Sequence, residues 1–263
     1  MRGGDGVLMV QLISYNKHQR MLLTRDVTQI ERLETTRRDF VANVSHELRT
    51  PLTVLSGFLE TLRDLPPEAL SDEQREQYMK LMLDQAQRMQ AIVADLLTLS
   101  TLESSPTTDP QPVNMPALIE TVLSQARALS GGRHEIVGEI DESLDILGTG
   151  TEIASAISNL LINAVRYTPE GGHITVRWRR EPDGDARYSV KDTGIGIASH
   201  HLPRLTERFY RVDRSRSRES GGTGLGLAIT KHIAMRHDAE LEIASELGQG
   251  STFALHFPDS RVA

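Results

Sequence analysis

The chain has 263 residues, of which 38% are hydrophobic and 25% charged, and its formal net charge is −7. This is room for more than one domain at an ordinary soluble balance, and the acidic excess argues against a general phosphate-backbone binder, which carries a basic footprint. The absence of cysteine excludes disulfides, thiolate metal sites and thiol catalysis and fits a reducing compartment. No apolar run approaches the ~20 residues that cross a bilayer, and the start lacks the apolar core of a signal peptide, so the sequence as given is expected to be soluble and cytoplasmic.

In chain order, residues 7–14 (VLMVQLIS) and 21–28 (MLLTRDVT) are short β-prone runs joined by the polar YNKHQR, which predicts a hairpin. A hairpin that small is marginal alone, so it is expected to be the tail of a larger domain or an edge packed on something else. From about Ile30 to Asp64 the pattern becomes helical. The breaker-rich RDLPPEALSDEQ follows, with Ser71 or Asp72 as N-cap, and a second helix runs to about Leu102. The Ser, Thr and Pro-rich ESSPTTDPQPVN reads as a linker. Beyond it, helices near 116–129 and 151–167 mix with strands near 173–180, 186–191, 240–245 and 251–257, which predicts an α+β domain.

On a helical wheel, Val41, Val44, Leu48, Leu52, Leu55, Leu59 and Leu62 fall within an arc of roughly 80°. The second helix has a stripe through Tyr78, Met82, Ala86, Met89, Val93 and Leu96. Two such helices leave an apolar side open, so pairing of two copies into a four-helix bundle is expected, hence a homodimer. His46 lies roughly opposite the seam, at the surface. A neutral imidazole offers one ring nitrogen as nucleophile, and the neighbouring Glu47 can orient the ring or take the other nitrogen's proton. Pro51 removes the N–H that would serve the Glu47 carbonyl, so a bend or loosening is expected there, and a plain packing kink is the competing explanation.

NLLINAVRYTP (159–169) sets Asn159 and Asn163 at i, i+4 on one helical face. An amide oxygen is a hard neutral ligand suited to Mg2+ shared with phosphates, although solvated or capping polar residues have the same pattern. VKDTGIGI (190–197) carries Asp192, Gly194 and Gly196, where glycine lets backbone approach a flat ligand and a carboxylate can accept from an exocyclic amine; a strand-ending turn is the alternative. GGTGLGLAI (221–229) runs a glycine cluster into an apolar helix, offering backbone N–H groups and a helix N-terminus to phosphate. It is not a dinucleotide fingerprint, and there is no Walker A sequence or protein-kinase catalytic loop. Between the glycine segments, LTERFYRVDRSRSRES carries Arg208, Arg211, Arg214, Arg216 and Arg218 and reads as a lid whose arginines can meet a triphosphate.

These segments, in this order, resemble the transmitter region of sensor histidine kinases of two-component systems over about residues 30–258. SHELRTPL is similar to the H box, NLLINAVRYTP to the N box, DTGIGI and GGTGLGLAI to the glycine boxes, and RLTERFYRVD to the F box. Within that family the H box, its lead-in and the RVDRSRSRESGGTGLGLAITKH stretch are most similar to phosphate-regulon sensor kinases. The resemblance implies a remnant of a PAS-like sensor domain over 1–28, with membrane spans upstream that anchor full-length relatives in the bacterial inner membrane. It further implies a dimerising phosphotransfer hairpin over 29–103, a linker over 104–114 and an α/β-sandwich ATP-binding domain of the histidine kinase, gyrase and chaperone type over 115–260. The cofactors implied are ATP and Mg2+, and the partner is a response regulator that receives the phosphoryl group on an aspartate and is also dephosphorylated.

Residue by residue, the resemblance implies that His46 accepts the γ-phosphoryl group, with Glu47 as base or orienting partner and Thr50 positioning water for dephosphorylation. Asn163 ligates Mg2+ with Asn159 assisting, Arg166 contacts phosphate, Tyr167 the adenine, and Asp192 reads the adenine amine. Gly194, Gly196, Gly222, Thr223, Gly224, Leu225 and Gly226 line the site, with Arg211 and Arg214 from the lid. The F box has Tyr210 after Phe209 where many members have a second Phe. The main rival is an ATPase of the gyrase, chaperone and mismatch-repair type, which lacks the SHELRTP hairpin; a kinase-dead dimerising scaffold is the third reading.

Overall fold

The computed structural model describes residues 6–14, 20–66, 69–106, 109–212 and 222–263, without the side chain of residue 32. The chain divides into two compact units, Met1–Gln85 and Ala86–Ala263.

The first unit opens with strands β1 (Leu8–Ser14) and β2 (Arg20–Asp26), paired antiparallel from Leu8 opposite Asp26 to Ser14 opposite Arg20. Both faces of this two-stranded ribbon leave large apolar side chains exposed, among them Leu8, Val10, Leu12, Leu22 and Leu23. The hairpin is therefore present as expected and has no core of its own.

Helix α1 (Thr28–Asp64) continues through Pro51 without a break. Pro51 is buried, and one residue before it the Thr50 hydroxyl donates to the His46 carbonyl at 3.2 Å. Along the seam Val41, Leu52 and Leu59 stay 57%, 53% and 56% exposed, which leaves apolar surface for a second copy. Helix α2 (Asp72–Ser104) starts at a capping box: the Ser71 hydroxyl accepts from the Gln74 N–H at 3.2 Å, and the Gln74 amide oxygen accepts from the Ser71 N–H at 3.0 Å. Within this unit Phe58 of α1 stacks on Tyr78 of α2 with ring centroids 5.0 Å apart.

The last turns of α2 belong to the second unit, where Ile92, Leu99 and Leu102 are buried. A small ribbon of β3 (Gln111–Val113) and β5 (Ile146–Gly148) accompanies a five-stranded sheet. Its strands are β4 (Glu135–Ile140), β6 (His173–Arg180), β7 (Ala186–Asp192), β8 (Glu240–Glu246) and β9 (Gly250–Phe257), in the order β4-β6-β7-β9-β8. All neighbours are antiparallel except β4 and β6. Helices α3 (Met115–Ser130), α4 (Gly150–Tyr167) and α5 (Gly226–Arg236) complete the α/β sandwich, α4 packing on both of the others and on β7.

The period-two pattern of β6 explains its seat: Ile174, Val176 and Trp178 point inward and alternate with more exposed side chains. The Trp178 indole N–H donates to the Leu144 carbonyl at 2.9 Å, and the buried Tyr188 hydroxyl donates to the Ile157 carbonyl at 3.3 Å, so both large aromatics enter the core with their polar atoms bonded. Of the strands, β3, β4 and β5 went unpredicted. β4 carries Gly138 in its centre, which local preference reads against a strand, yet a Cβ there would lie 2.9 Å from Leu123 Cδ1, so glycine is what lets the strand meet α3.

Candidate phosphoacceptor and nucleotide site

The sequence-predicted residues divide between the units. His46, Glu47 and Thr50 sit on α1 in the first, and the remaining described ones belong to the second.

The His46 side chain is 66% exposed, and its Nδ1 faces Glu47 Oε1 at 4.0 Å, longer than a hydrogen bond. Nδ1 is thus the ring nitrogen nearer the carboxylate.

In the second unit Asp192 ends β7 and is buried. Its Oδ1 accepts from the Gly194 N–H at 2.8 Å and from the Ser251 N–H at 3.2 Å. Burial pushes its carboxyl above the ordinary aspartate value, against the lowering effect of those two amides. A buried carboxylate held by backbone on one oxygen is suited to accept a ligand's amine. The glycines that follow are required by contact: a Cβ at Gly194 would lie 2.5 Å from the Tyr167 carbonyl oxygen, and one at Gly196, whose φ is 65°, would fall on the Glu246 carbonyl.

Helix α4 delivers Asn159, Asn163, Arg166 and Tyr167. The Asn159 amide donates to the Gly226 carbonyl at 3.3 Å and so ties α4 to the first turn of α5. A Cβ at Gly226 would come within 3.3 Å of Asn159 Oδ1, which explains a glycine at that helix start. Asn163 is half-buried one turn along, and its amide oxygen is of the right chemistry for a hard cation held together with phosphate. A Cβ at Gly222 would find Arg166 Nη1 at 3.6 Å, Arg211 Nη2 at 3.8 Å and the Tyr167 hydroxyl at 4.0 Å. Two guanidinium groups and a phenol therefore converge on this backbone, a donor set matched to phosphate. Arg214, Arg216 and Arg218 lie outside the described residues. The F box is anchored by the Tyr210 hydroxyl against His201 Nδ1 at 2.6 Å and by Arg204 over the Tyr210 ring at 4.3 Å.

Asp95, Glu103, Glu152 and Arg236, which the sequence reading did not single out, also enter this region. The Thr223 hydroxyl donates to Asp95 Oδ2 of α2 at 2.6 Å and accepts from the Leu225 N–H at 3.2 Å. Arg208 pairs with Glu103, and Arg236 pairs with Glu152 at 3.0 Å. The only sequence signal for Asp95 and Glu103 was their spacing with Ile92, Leu99 and Leu102 on one face of α2.

Comparison with known proteins agrees with both halves. Residues 36–105 match the His Kinase A phospho-acceptor domain, and residues 148–261 match the histidine kinase-, DNA gyrase B- and HSP90-like ATPase. The chain belongs to the sensor histidine kinases. It is 49% identical over 262 residues to the phosphate regulon sensor protein PhoR of Pseudomonas aeruginosa, covering 97% of this chain and 58% of that one. It is 36% identical over 236 residues to the sensor-like histidine kinase SenX3 of Mycolicibacterium smegmatis, covering 89% and 60%. The chain thus spans little more than half the length of these relatives. Among solved structures, full-length ShkA in complex with AMPPNP aligns at a TM-score of 0.61 and 27% identity over 84% of this chain and 45% of that one. The histidine kinase ThkA in complex with the response regulator protein TrrA shares the fold, at a TM-score of 0.67 and 20% identity over 95% and 78%.

Proposed function

We propose that this chain is the transmitter portion of a phosphate-responsive sensor kinase, which moves the γ-phosphoryl group of ATP to His46 and then to an aspartate of a response regulator. The observation that carries the reading is the pairing of an exposed histidine, its Nδ1 turned to a carboxylate, with a separate unit whose arginines, amides and glycine backbone suit a nucleotide. The 49% identity to a phosphate regulon sensor supports the signalling context, and the AMPPNP complex of ShkA supports ATP as the nucleotide.

The transfer follows from the residues. Nε2 of neutral His46 attacks Pγ, a P–N bond forms, the bond from Pγ to the bridging oxygen breaks, and ADP leaves with that electron pair. The proton on Nδ1 then passes to Glu47, which prevents a positive charge from remaining on the phosphorylated ring. Arg166 and Arg211 neutralise phosphate charge, Asp192 orients the base through its amine, and the glycine segments supply backbone N–H groups. Mg2+ would be held by the Asn163 amide oxygen, with Asn159 beside it, and when bound supplies further charge neutralisation to the phosphates.

Three further readings go with this function. The open seam through Val41, Leu52 and Leu59 is the dimer interface of a four-helix bundle. Residues 29–103, 104–114 and 115–260 are the phosphotransfer hairpin, linker and catalytic domain, and 1–28 close a PAS-like sensor. Thr50, one turn from His46, positions water when the regulator is dephosphorylated. Among the described residues no helix is long and apolar enough to cross a membrane.

The test is incubation with γ-labelled ATP and Mg2+, followed by acid and alkali treatment of the protein. Acid-labile, alkali-stable label is expected on wild type and none on His46→Gln. Label that survives the substitution would refute the acceptor assignment.

A further inference from the structure

The last turns of α2 carry Ile92, Asp95, Leu99, Leu102 and Glu103 within an arc of about 100°. The apolar three are buried in the nucleotide unit. At the far end Arg236 clamps the helix: Nη1 donates to the Leu102 carbonyl at 3.3 Å and the Ser105 carbonyl at 2.8 Å, and Nη2 to the Pro106 carbonyl at 3.3 Å. These include carbonyls that a helix C-terminus leaves unbonded. The same guanidinium holds Glu152 through Nε and Nη2, both at 3.0 Å. At the same end, Glu103 meets Arg208 and His232. The arrangement fixes where Asp95 stands. Its Oδ2 takes the Thr223 hydroxyl at 2.6 Å, and the Arg166 charge favours its ionised form.

Arg166 is assigned above to phosphate, and Thr223 belongs to the glycine segment assigned to line the same site. We propose that Asp95 is an internal competitor for them: with α2 docked, its carboxylate occupies part of the positive potential meant for the nucleotide phosphates, so that it sets affinity according to phosphate charge. The inference rests on the nucleotide reading of this site and deepens it.

The chemistry favours competition over simple packing. Asp95 is partly desolvated, which pushes its carboxyl up, and the Thr223 hydroxyl and Arg166 act against that. A carboxylate in this position is stabilised by the same donor and cation that a phosphate would use. Two anions drawing on one cation repel, and burial weakens the screening of that repulsion by water and salt. The Thr223 hydroxyl also caps the Leu225 amide. Withdrawal of Asp95 therefore changes the glycine segment that leads into α5 as well as the local charge.

The experiment measures dissociation constants of ATP, ADP and adenosine by titration calorimetry on the whole chain, as wild type, Asp95→Asn and Asp95→Glu. Asn keeps an acceptor for Thr223 and removes the charge. A several-fold gain in ATP affinity is expected for Asp95→Asn, a smaller gain for ADP and no change for adenosine, with Asp95→Glu close to wild type. Equal affinities in all variants overturn the proposal, as does an equal gain for adenosine, which would mean a steric effect. A loss of ATP affinity in Asp95→Asn also overturns it. If Asp95→Asn does not fold, Asp95→Ser removes the same charge and is read in the same way. A wild type that binds none of the three ligands refutes the nucleotide reading and the competitor with it, whereas phosphate-dependent binding unchanged by the substitution refutes the competitor alone.

Discussion

The Phe209 N–H donates to the Gly224 carbonyl at 2.8 Å, and both residues have left-handed backbone, with φ of 62° and 75°. The two residues lie on either side, in sequence, of Arg211, Arg214, Arg216 and Arg218, in the stretch read as a lid. A phenylalanine in that region costs about 1–3 kcal/mol and persists only where its surroundings enforce it. Gly224 is part of that enforcement, because a Cβ there would lie 3.0 Å from Phe209 Cα and 3.1 Å from its carbonyl carbon. Gly224→Ala is expected to shift the lid base, weaken ATP by ten-fold or more and lower the melting temperature by a few degrees, the strain alone being about 1 kcal/mol. Calorimetric titration and a thermal melt check this, and unchanged ATP affinity would contradict it.

Asp192 combines burial with two backbone amides on one oxygen. Asp192→Asn should keep much of the turn and lose the charged acceptor for the adenine amine. A hydrogen bond to a charged group contributes about 1.5–3 kcal/mol, so the expected loss of ATP affinity is roughly 10- to 100-fold. GTP, which presents a carbonyl in that position, should discriminate far less between the two proteins, and this comparison checks the assignment.

Thr50 donates to the His46 carbonyl within α1. Thr50→Ala removes an exposed helix hydroxyl, so its stability cost should stay within ~0.5 kcal/mol. Autophosphorylation is expected to persist while dephosphorylation of the regulator falls at least ten-fold. Assays of both activities on one preparation decide it, and equal loss of the two would refute the split.

The seam on α1 leaves Leu59 56% exposed. Leu59→Glu would place a charge where the second copy should bury it, and burial of one leucine accounts for about 1.5–3 kcal/mol. Light scattering over a dilution series is expected to give a dimer for wild type and a dissociation constant raised by ten-fold or more in the variant. A monomer in both would exclude the bundle.

His237 gives a pH prediction with a definite sign. Its Nε2 accepts from the Thr149 N–H at 3.0 Å, and its Nδ1 donates to the Ile233 carbonyl at 2.8 Å, so the buried ring is the neutral Nδ1–H tautomer. Burial holds its pKa below the ordinary 6.5, against the raising effects of the Ile233 carbonyl and Glu152. The unfolded chain therefore binds more protons just below pH 6.5 than the folded one. The stability from this group is complete above that pH and is lost as pH falls through the folded pKa. Long-range proton–nitrogen spectra should find the Nδ1–H tautomer at pH 7 and a His237 titration below the ordinary histidine value, and denaturation midpoints should fall between pH 7 and pH 5.5. A ring that titrates above the ordinary histidine value would contradict the assignment.

Much of the architecture was legible because it follows from local rules. The helical period through Val41, Leu48, Leu55 and Leu62 marked α1, Ser71 or Asp72 as N-cap marked the start of α2, and the β-prone run near 173–180 marked β6. β4 escaped because its reason for being a strand lies in β6, with which it pairs in parallel, and in Leu123 of α3. The second helix was read correctly as a helix, and the stripe through Met82, Met89 and Val93 was noticed. The face through Ile92, Leu99 and Leu102, which the nucleotide unit buries, was not.

The sequence by itself determined which residues could do the chemistry: an exposed histidine beside a carboxylate, amides one turn apart, glycines where side chains could not stand. Only the tertiary structure decided that Asp192 binds two amides on one oxygen, that Phe209 must be left-handed to meet Gly224, and that Asp95 stands 128 positions before the Thr223 hydroxyl it accepts. The physical reason is range. Helical and strand periodicities are properties of neighbours along the chain, whereas desolvation, backbone strain and the partner of a buried charge depend on atoms that only folding brings together.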